Sequence, residues 1–163
     1  MYIKKWWGEY FGGTDDSCSL MEYFAQDEKT EYSLAGILTD FNVNIQTPFN
    51  GFRATENIQF SVNELKCNIN MAINLFLDLA VITLESLHSG SVPLTDLCED
   101  CENEKQFVIT ADKNILGYLI SILTDFCVNP LEYDLAEMCE DNEMREIVRQ
   151  CKEVINELEK QEG

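Results

Sequence analysis

The longest apolar stretch of this chain, residues 71–87, contains neither glycine nor proline. Its apolar residues recur at the spacing of a helix, and it is longer than an ordinary strand. Its length is also close to that of a short membrane-spanning helix, but the polar side chains of Asn74, Asp78 and Glu85 are costly in hydrocarbon. The pattern therefore predicts a long helix over residues 63–88, buried in the core of a soluble domain.

Shorter elements are expected before this helix. The opening residues are rich in aromatic side chains and lead to Gly12-Gly13, which is typical of a short strand that ends in a turn. Ser19 and Glu22 have the spacing of a capping box and predict the start of a helix. Two further elements are expected in this part, a helix over residues 33–41 and a loop over the turn-rich residues 42–57.

From residue 58 onward the pattern predicts the central helix and a helical C-terminal half. Alternating apolar residues over 58–62 predict a strand. Residues 65–71 fit both this alternation and the spacing of a helix. Because the chain continues to residue 87 without glycine or proline, we favour a helix there. Capping and turn residues set the remaining boundaries. Gly90 and Pro93 are expected to end the central helix, and Thr95 to cap a turn through Leu97 and Cys98. A brief apolar run follows over 107–109, Thr110 or Asp112 opens a helix that stops at Asn129-Pro130, and further helices are expected over 131–138 and from residue 142.

Together these elements predict a mostly α fold with a few short strands (α+β). A chain of 163 residues with 45% hydrophobic positions can bury one core, and no low-complexity linker or internal repeat divides it. We therefore expect a single compact helical domain over residues 1–163. Its N-terminal aromatic part covers 1–57, and its helical core and acidic C-terminal part cover 58–163.

Residue patterns typical of enzymes are nearly absent. The sequence has no glycine-rich phosphate loop, no nucleophile elbow and no dinucleotide-binding fingerprint. His88 is the only histidine, and a cation at the end of the central helix would interact favourably with the helix dipole. One histidine is too few for most zinc hydrolase sites. We expect a protein that is not an enzyme and that uses no cofactor.

The cysteines allow one chemical alternative. Cys98 and Cys101 form the only CxxC spacing, which could serve a zinc site or a redox pair. No partner pair exists, and the acidic residues around both thiols would raise their pKa values, which disfavours a reactive thiolate. A small zinc or thiol protein stays open as an alternative, but two ordinary cysteines and no metal site are the favoured interpretation. Seven scattered cysteines also favour free thiols over disulfides.

Two pairs of residues near the N-terminus allow a functional and a structural interpretation. Asp15 and Asp16 could act as a paired acid and base, but carboxylates beside hydroxyl residues are also typical of a helix start, which we favour. Trp6 and Trp7 would point to opposite faces of a strand, so at least one is expected in the core. The other would be exposed, as interface anchors often are.

Charge is the most informative functional feature of the chain. Thirty acidic residues against eleven basic ones give a formal net charge of −19. Direct binding to nucleic acid or to an anionic membrane is therefore not expected, because both need cationic contacts. Two stretches concentrate the acidity, residues 96–104 with five carboxylates and residues 132–146 with seven. Such an imbalance indicates a cationic partner, because unrelieved repulsion destabilises a compact fold.

About forty N-terminal residues carry a recognisable pattern, made of Trp6-Trp7-Gly8, Gly12-Gly13-Thr14-Asp15-Asp16, Leu20, Tyr23 and Ser33-Leu34. This pattern resembles the start of immunity proteins from bacterial contact-dependent growth inhibition and related polymorphic toxin systems. The resemblance implies a small cytosolic protein that binds and neutralises one cognate toxin domain, often a nuclease. The opening residues also lack the unbroken apolar run of a secretory signal, which agrees with a cytoplasmic location.

The charge and the resemblance lead to one functional expectation. A nuclease cleft is basic because it must attract phosphates, and a compact acidic protein could occupy it and exclude the substrate. The expected partner is a basic toxin domain, with an RNase of the EndoU type as one candidate, and an acidic adaptor or nucleic-acid mimic is the alternative function. The residues expected to contact the partner are Asp96, Glu99, Asp100, Glu102, Glu140, Asp141 and Glu143, with Asp15 and Asp16 as weaker candidates and Trp7 as an aromatic anchor.

Overall fold

The computed structural model describes residues 2–26, 28–54, 58–62, 65–98 and 103–162. Its helices are α1 (Tyr2–Trp6), α2 (Asp15–Gln26), α3 (Leu34–Asp40), α4 (Ala72–Ser89), α5 (Leu94–Leu97), α6 (Lys113–Val128) and α7 (Asp141–Glu162). Its strands are β1 (Glu31–Ser33), β2 (Ile58–Val62), β3 (Leu65–Ile69), β4 (Val92–Pro93) and β5 (Gln106–Thr110). This mostly helical architecture with small sheets confirms the predicted fold class.

Helix α4 forms the centre of the fold. All of its residues from Ala72 to Ser86 are buried, and α1, α2, α6 and α7 pack around it. By length and composition α4 could cross a membrane, but 83% of it is buried inside the protein. Its end is the predicted one: Gly90 adopts φ 87°, a left-handed conformation open to glycine, and donates its N–H to the Ser86 carbonyl.

The start of the central helix differs from the prediction. Helix α4 begins at Ala72, and Leu65–Ile69 forms strand β3, which pairs antiparallel with β2. Residues 63 and 64 lie outside the described part of the chain. The alternating pattern prevails because β2 offers a strand partner for it. The backbone at Met71 is still extended, with φ −132° and ψ 117°, so the helix cannot begin earlier.

The aromatic opening is a helix rather than the expected strand. Ile3 and Trp6 lie one helical turn apart and are both buried, while Tyr2 stacks on Trp6 with ring centroids 5.6 Å apart. The next helix, α2, begins at Asp15 and not at Ser19. Its cap is formed by Thr14, whose hydroxyl accepts the Ser17 N–H at 3.1 Å while the Ser17 hydroxyl accepts the Thr14 N–H at 3.3 Å.

A three-stranded sheet with the order β1-β5-β4 covers one side of α4. Strand β1 runs parallel to β5, and β4 runs antiparallel to it. The apolar run 107–109 is the middle of β5, and Phe107 and Ile109 are buried. Ser33 ends β1 and caps α3, where its hydroxyl accepts the Gly36 N–H at 3.0 Å. The predicted helix over 33–41 is therefore confirmed.

The loop expected over 42–57 includes a short 3-10 helix, Phe49–Phe52, and its residues 55–57 are not described. Helix α6 is capped by Asp112 at its start and ends at Val128, with Asn129 as the C-terminal cap, as predicted. The expected helix over 131–138 is wrong: that segment forms two 3-10 turns, Pro130–Glu132 and Asp134–Glu137, interrupted by the extended backbone of Tyr133. Helix α7 begins one residue before its predicted start, and α5 begins at Leu94, so Thr95 does not cap it.

An ion pair between the half-buried Arg53 and the buried Asp125 joins the long loop to α6. The Arg53 guanidinium donates to both carboxylate oxygens of Asp125, from Nε at 2.8 Å and from Nη2 at 2.6 Å. Asp125 also accepts the Tyr133 hydroxyl at 2.7 Å, and Arg53 makes a second ion pair with Glu132 at 3.0 Å. These contacts fix Tyr133, which explains why the backbone there is extended and not helical.

Candidate functional site

Described residues of both acidic stretches lie next to one surface loop, residues 7–13. From this loop, the Trp7 indole N–H donates to the Leu97 carbonyl at 2.9 Å, next to the exposed Asp96. Tyr10 of the same loop lies near Glu143 and Glu146 at the start of α7. We define the acidic surface as Trp7, Tyr10 and the carboxylates of Glu9, Asp96, Glu140 and Glu143.

The two tryptophans have different roles. Trp6 is 4% exposed and donates its indole N–H to Glu153 at 3.2 Å, so the expectation of a core tryptophan is confirmed. Trp7 is half-buried, and its ring lies directly over Gly12, where any Cβ would overlap it. Gly12 also has φ 80°, which favours glycine. Trp7 is therefore held rigidly at the surface, between the loop and α5.

Tyr10 belongs to this surface although it was not among the expected contact residues; from the sequence it was only part of an alternative aromatic face with Trp6 and Trp7. Its side chain is half-buried, and burial together with the carboxylates of Glu9, Glu143 and Glu146 raises the pKa of its hydroxyl. The Glu143 carboxylate also accepts the backbone N–H of Glu140 at 3.2 Å, which fixes the first turn of α7. Tyr10 thus presents a protonated hydroxyl within an acidic environment.

The remaining residues that we expected to contact the partner differ in whether the structure describes them and in whether they are exposed. Glu99, Asp100 and Glu102 lie outside the described residues, together with Cys101. Glu140 and Asp141 are exposed, and Asp15 is exposed in the first turn of α2. Other carboxylates of the second acidic stretch are already paired: Glu132 with Arg53, and Glu146 with Arg149, whose guanidinium lowers the pKa of Glu146 to about 2.

Asp16 does not belong to the acidic surface. It is 3% exposed and accepts three hydrogen bonds, from the N–H groups of Asn70 at 2.7 Å and Met71 at 3.1 Å and from the Asn74 amide at 3.0 Å. The carboxylate therefore satisfies backbone donors at the entry to α4 and is not available to a partner. Asp16 therefore has the structural role that we favoured, the stabilisation of a helix start, but the helix is α4 and not α2.

A second buried carboxylate holds the loop from beneath. Asp78 of α4 accepts the Gly12 N–H at 2.8 Å and the Ser17 hydroxyl at 2.5 Å. Burial raises its pKa to about 7, against the opposing effect of these two hydrogen bonds, and the nearby Asp16 raises it further. The position of the loop is therefore coupled to a buried group that titrates near neutral pH.

This coupling predicts a pH-dependent effect of Asp78→Asn. The folded-state pKa lies above the unfolded value of 3.8, so the folded state binds the extra proton between about pH 4 and pH 7, and the free energy of unfolding falls as pH rises through that window. Asparagine does not titrate, and it can accept the Gly12 N–H through its amide oxygen while its amide nitrogen donates to the Ser17 hydroxyl, which reverses the direction of that second hydrogen bond. Between pH 4 and pH 8 the variant should gain about 2–4 kcal/mol relative to the wild type in urea unfolding.

A matched control for this experiment is Asp15→Asn, which changes an exposed carboxylate at the start of α2. This variant removes a carboxylate but leaves Asp78 and its two hydrogen bonds in place, so it should keep the fall in stability with rising pH that we assign to Asp78. Parallel curves for Asp78→Asn and the wild type would contradict the assignment of a raised pKa to Asp78.

The side chains that could do chemistry include one close pair of thiols, Cys127 and Cys151, which are hydrogen-bonded to each other. Among the described residues, no group of three or more His, Cys, Asp or Glu side chains could hold a metal ion. Cys18, Cys98, Cys127, Cys139 and Cys151 are not joined in disulfides, and Cys98 is half-buried at the end of α5. His88 is exposed in the last turn of α4, and its ring meets the Tyr2 ring edge-on at 5.1 Å between centroids.

Comparison with known proteins gives one informative result. No curated protein and no solved structure matches the chain. A family model described as Immunity protein 68 matches residues 2–158, nearly the whole chain, whereas the N-terminal resemblance covers about forty residues. Members of an immunity family neutralise a toxin by binding it, and the resemblance stated from the sequence is thereby confirmed. The chain therefore belongs to the Immunity protein 68 family.

Proposed function

We propose that this immunity protein neutralises a toxin domain that has a basic active-site cleft, by covering that cleft with the acidic surface. The observation that carries the proposal is the position of Trp7 and Tyr10 next to carboxylates of the two acidic stretches. Aromatic side chains surrounded by charge are the arrangement found at the centres of many protein interfaces.

The rigidity of the surface supports this proposal. Trp7 is fixed by its hydrogen bond to Leu97 and by Gly12, and the loop itself is fixed by Asp78. A surface that is already ordered loses little conformational entropy on binding, which favours affinity. The exposed carboxylates of Glu9, Asp96 and Glu140 then supply long-range attraction toward a basic partner.

The target that fits this surface best is a nuclease. Its cleft must be basic to bind phosphates, and an acidic protein that fills the cleft excludes the nucleic acid without contributing a catalytic group. We place this inhibition in the cytoplasm, as part of a contact-dependent inhibition or related toxin system. An RNase of the EndoU type is the specific target to test first, with RNA and DNA as separate substrates.

The association rate gives a direct test of this electrostatic mechanism. The rate constant for binding the toxin domain encoded beside this gene should fall at least tenfold between about 20 mM and 500 mM salt, because screening shortens the Debye length from about 20 Å to about 4 Å. Stopped-flow fluorescence of the tryptophans can measure it. An association rate that is independent of salt would contradict the proposal and would make the charge a solubility feature.

A further inference from the structure

Two cysteines lie at the contact between α6 and α7, outside the acidic surface. Cys127 is half-buried near the end of α6, and Cys151 is fully buried in the middle of α7. The Cys127 thiol donates to the Val148 carbonyl at 3.8 Å, and the Cys151 thiol donates to the Leu123 carbonyl at 4.0 Å. Each thiol therefore reaches the opposite helix about one turn before the other cysteine.

The directions of the two helices bring these sulfurs together. The two contacts show that α6 and α7 run antiparallel here, with Cys127 opposite Val148. A helical side chain leans toward the N-terminus of its own helix. Cys127 therefore leans toward Leu123, which lies opposite Cys151. Cys151 in turn leans toward Val148, and the two thiols come within hydrogen-bond reach of each other.

The two thiols differ in reactivity because their surroundings differ. The hydrogen bond with Cys151 lowers the pKa of Cys127, against the effect of burial, and the positive charge of Lys152 lowers it further. The same hydrogen bond and complete burial raise the pKa of Cys151. Because the thiolate is the form that reacts with oxidants, Cys127 is the thiol that should react first.

Cys127 is also the thiol that a small oxidant can reach. It is partly exposed, whereas Cys151 has no exposed surface. An open groove of about 470 Å³ runs beside it, lined by Val148, which Cys127 contacts, and by Lys152. A partly exposed thiol with a buried thiol directly behind it is the arrangement of a redox-sensing pair, in which the second cysteine resolves the oxidised form of the first.

We propose that Cys127 and Cys151 are a peroxide-sensitive thiol pair that forms an intramolecular disulfide between α6 and α7. The Cys127 thiolate attacks one oxygen of hydrogen peroxide. The S–O bond forms, the O–O bond breaks, and hydroxide leaves, so that Cys127 becomes a sulfenic acid. The Cys151 thiol then attacks the Cys127 sulfur: the S–S bond forms, the S–O bond breaks, and the leaving hydroxide takes the Cys151 proton. The two thiols lose two electrons and two protons, and the peroxide becomes two waters.

Peptide mapping of the wild-type protein tests the proposal. The reduced protein is treated with a small molar excess of hydrogen peroxide, blocked with iodoacetamide and digested with trypsin without reduction. The peptide of residues 114–145 should be joined to that of residues 150–152, with a mass two hydrogens below their sum. Dithiothreitol should separate the two peptides. Peptides that stay separate after the peroxide treatment would overturn the proposal.

Two variants identify the reacting thiols, after circular dichroism has verified that each folds. Cys139→Ser is the matched control: Cys139 lies in the same peptide as Cys127 and is also half-buried, but burial and Glu143 raise its pKa. The link should therefore form in this variant at the wild-type rate. Cys151→Ser should leave a sulfenic acid on Cys127, which a cyclic 1,3-diketone traps about tenfold faster than on Cys139. Loss of the link in Cys139→Ser would overturn the proposal, and equal trapping on Cys127 and Cys139 would overturn the order of its two steps.

Discussion

Replacing Arg53 by methionine should lower the free energy of unfolding by about 2 kcal/mol, less than for a fully buried pair because Arg53 is half-buried and water screens its charge. Asp125 is buried, and Arg53 supplies two of its hydrogen bonds, at 2.8 and 2.6 Å. Methionine keeps most of the alkyl packing but leaves a carboxylate without its counter-charge, with Tyr133 and Asn129 as its other donors. Urea unfolding at pH 7 measures the effect.

Two further variants separate the buried charge from other causes. Arg145→Met removes an exposed cation and should change stability by less than about 0.5 kcal/mol. Arg53→Met combined with Asp125→Leu should be less destabilised than Arg53→Met alone, because no unpaired charge stays buried. If the double variant were the less stable of the two, lost packing and not the buried charge would be the main cause.

The ion pair also predicts how stability responds to acid. The Arg53 guanidinium, helped by the Tyr133 hydroxyl and against the effect of burial, holds the pKa of Asp125 below its unfolded value of 3.8. Stability from this group is thus fully present above about pH 4 and is lost as pH falls through the lower folded-state pKa. The gap between the wild type and Arg53→Met should shrink below pH 4, and a constant gap would contradict the ion-pair account.

The largest expected effect on function comes from reversing charges of the acidic surface. Glu9, Asp96 and Glu140 are exposed, and no other side chain depends on their carboxylates in the described structure. Replacing all three by lysine should weaken toxin binding on the order of 100-fold, because three attractive contacts of up to about 1 kcal/mol each become repulsive. Protection of cells from the toxin should be lost, while the circular dichroism spectrum stays unchanged.

The matched control reverses three exposed carboxylates elsewhere, Glu28, Glu31 and Glu159, and gives the same net charge. This control should bind nearly as tightly as the wild type, since only the position of the charges differs. Equal weakening in both triple variants would show that overall charge, and not the acidic surface, controls binding.

The sequence predicted correctly those helix ends that are set by residues close by in the chain. Asp112 at the start of α6, Ser33 at the start of α3 and Gly90 at the end of α4 each act within four residues of their position. The predictions were wrong where contacts with residues distant in the sequence determine the secondary structure. Residues 65–69 form a strand because β2 pairs with them, and α1 forms because Ile3 and Trp6 pack into the core.

The candidate functional site was likewise predictable only in those features that depend on neighbouring residues in the sequence. The acidic stretches 96–104 and 132–146 are visible in the sequence, and so is the helical spacing that pairs Glu146 with Arg149. Their placement around Trp7 and Tyr10 is not, because it depends on contacts across about 90 residues, such as that between Trp7 and Leu97. Asp16 looked like a cap for α2, but the fold brings Asn70 and Met71 to it.

Displacement of a nucleic acid from the toxin tests the central claim most directly. A fluorescently labelled, uncleavable oligonucleotide is bound to the catalytically inactive toxin domain, and its anisotropy is followed while this protein is added. Occlusion of the cleft by the acidic surface predicts complete release of the oligonucleotide at one equivalent, and little release by the Glu9, Asp96 and Glu140 reversal variant. A stable ternary complex, in which the oligonucleotide stays bound while the wild-type protein binds, would contradict the account.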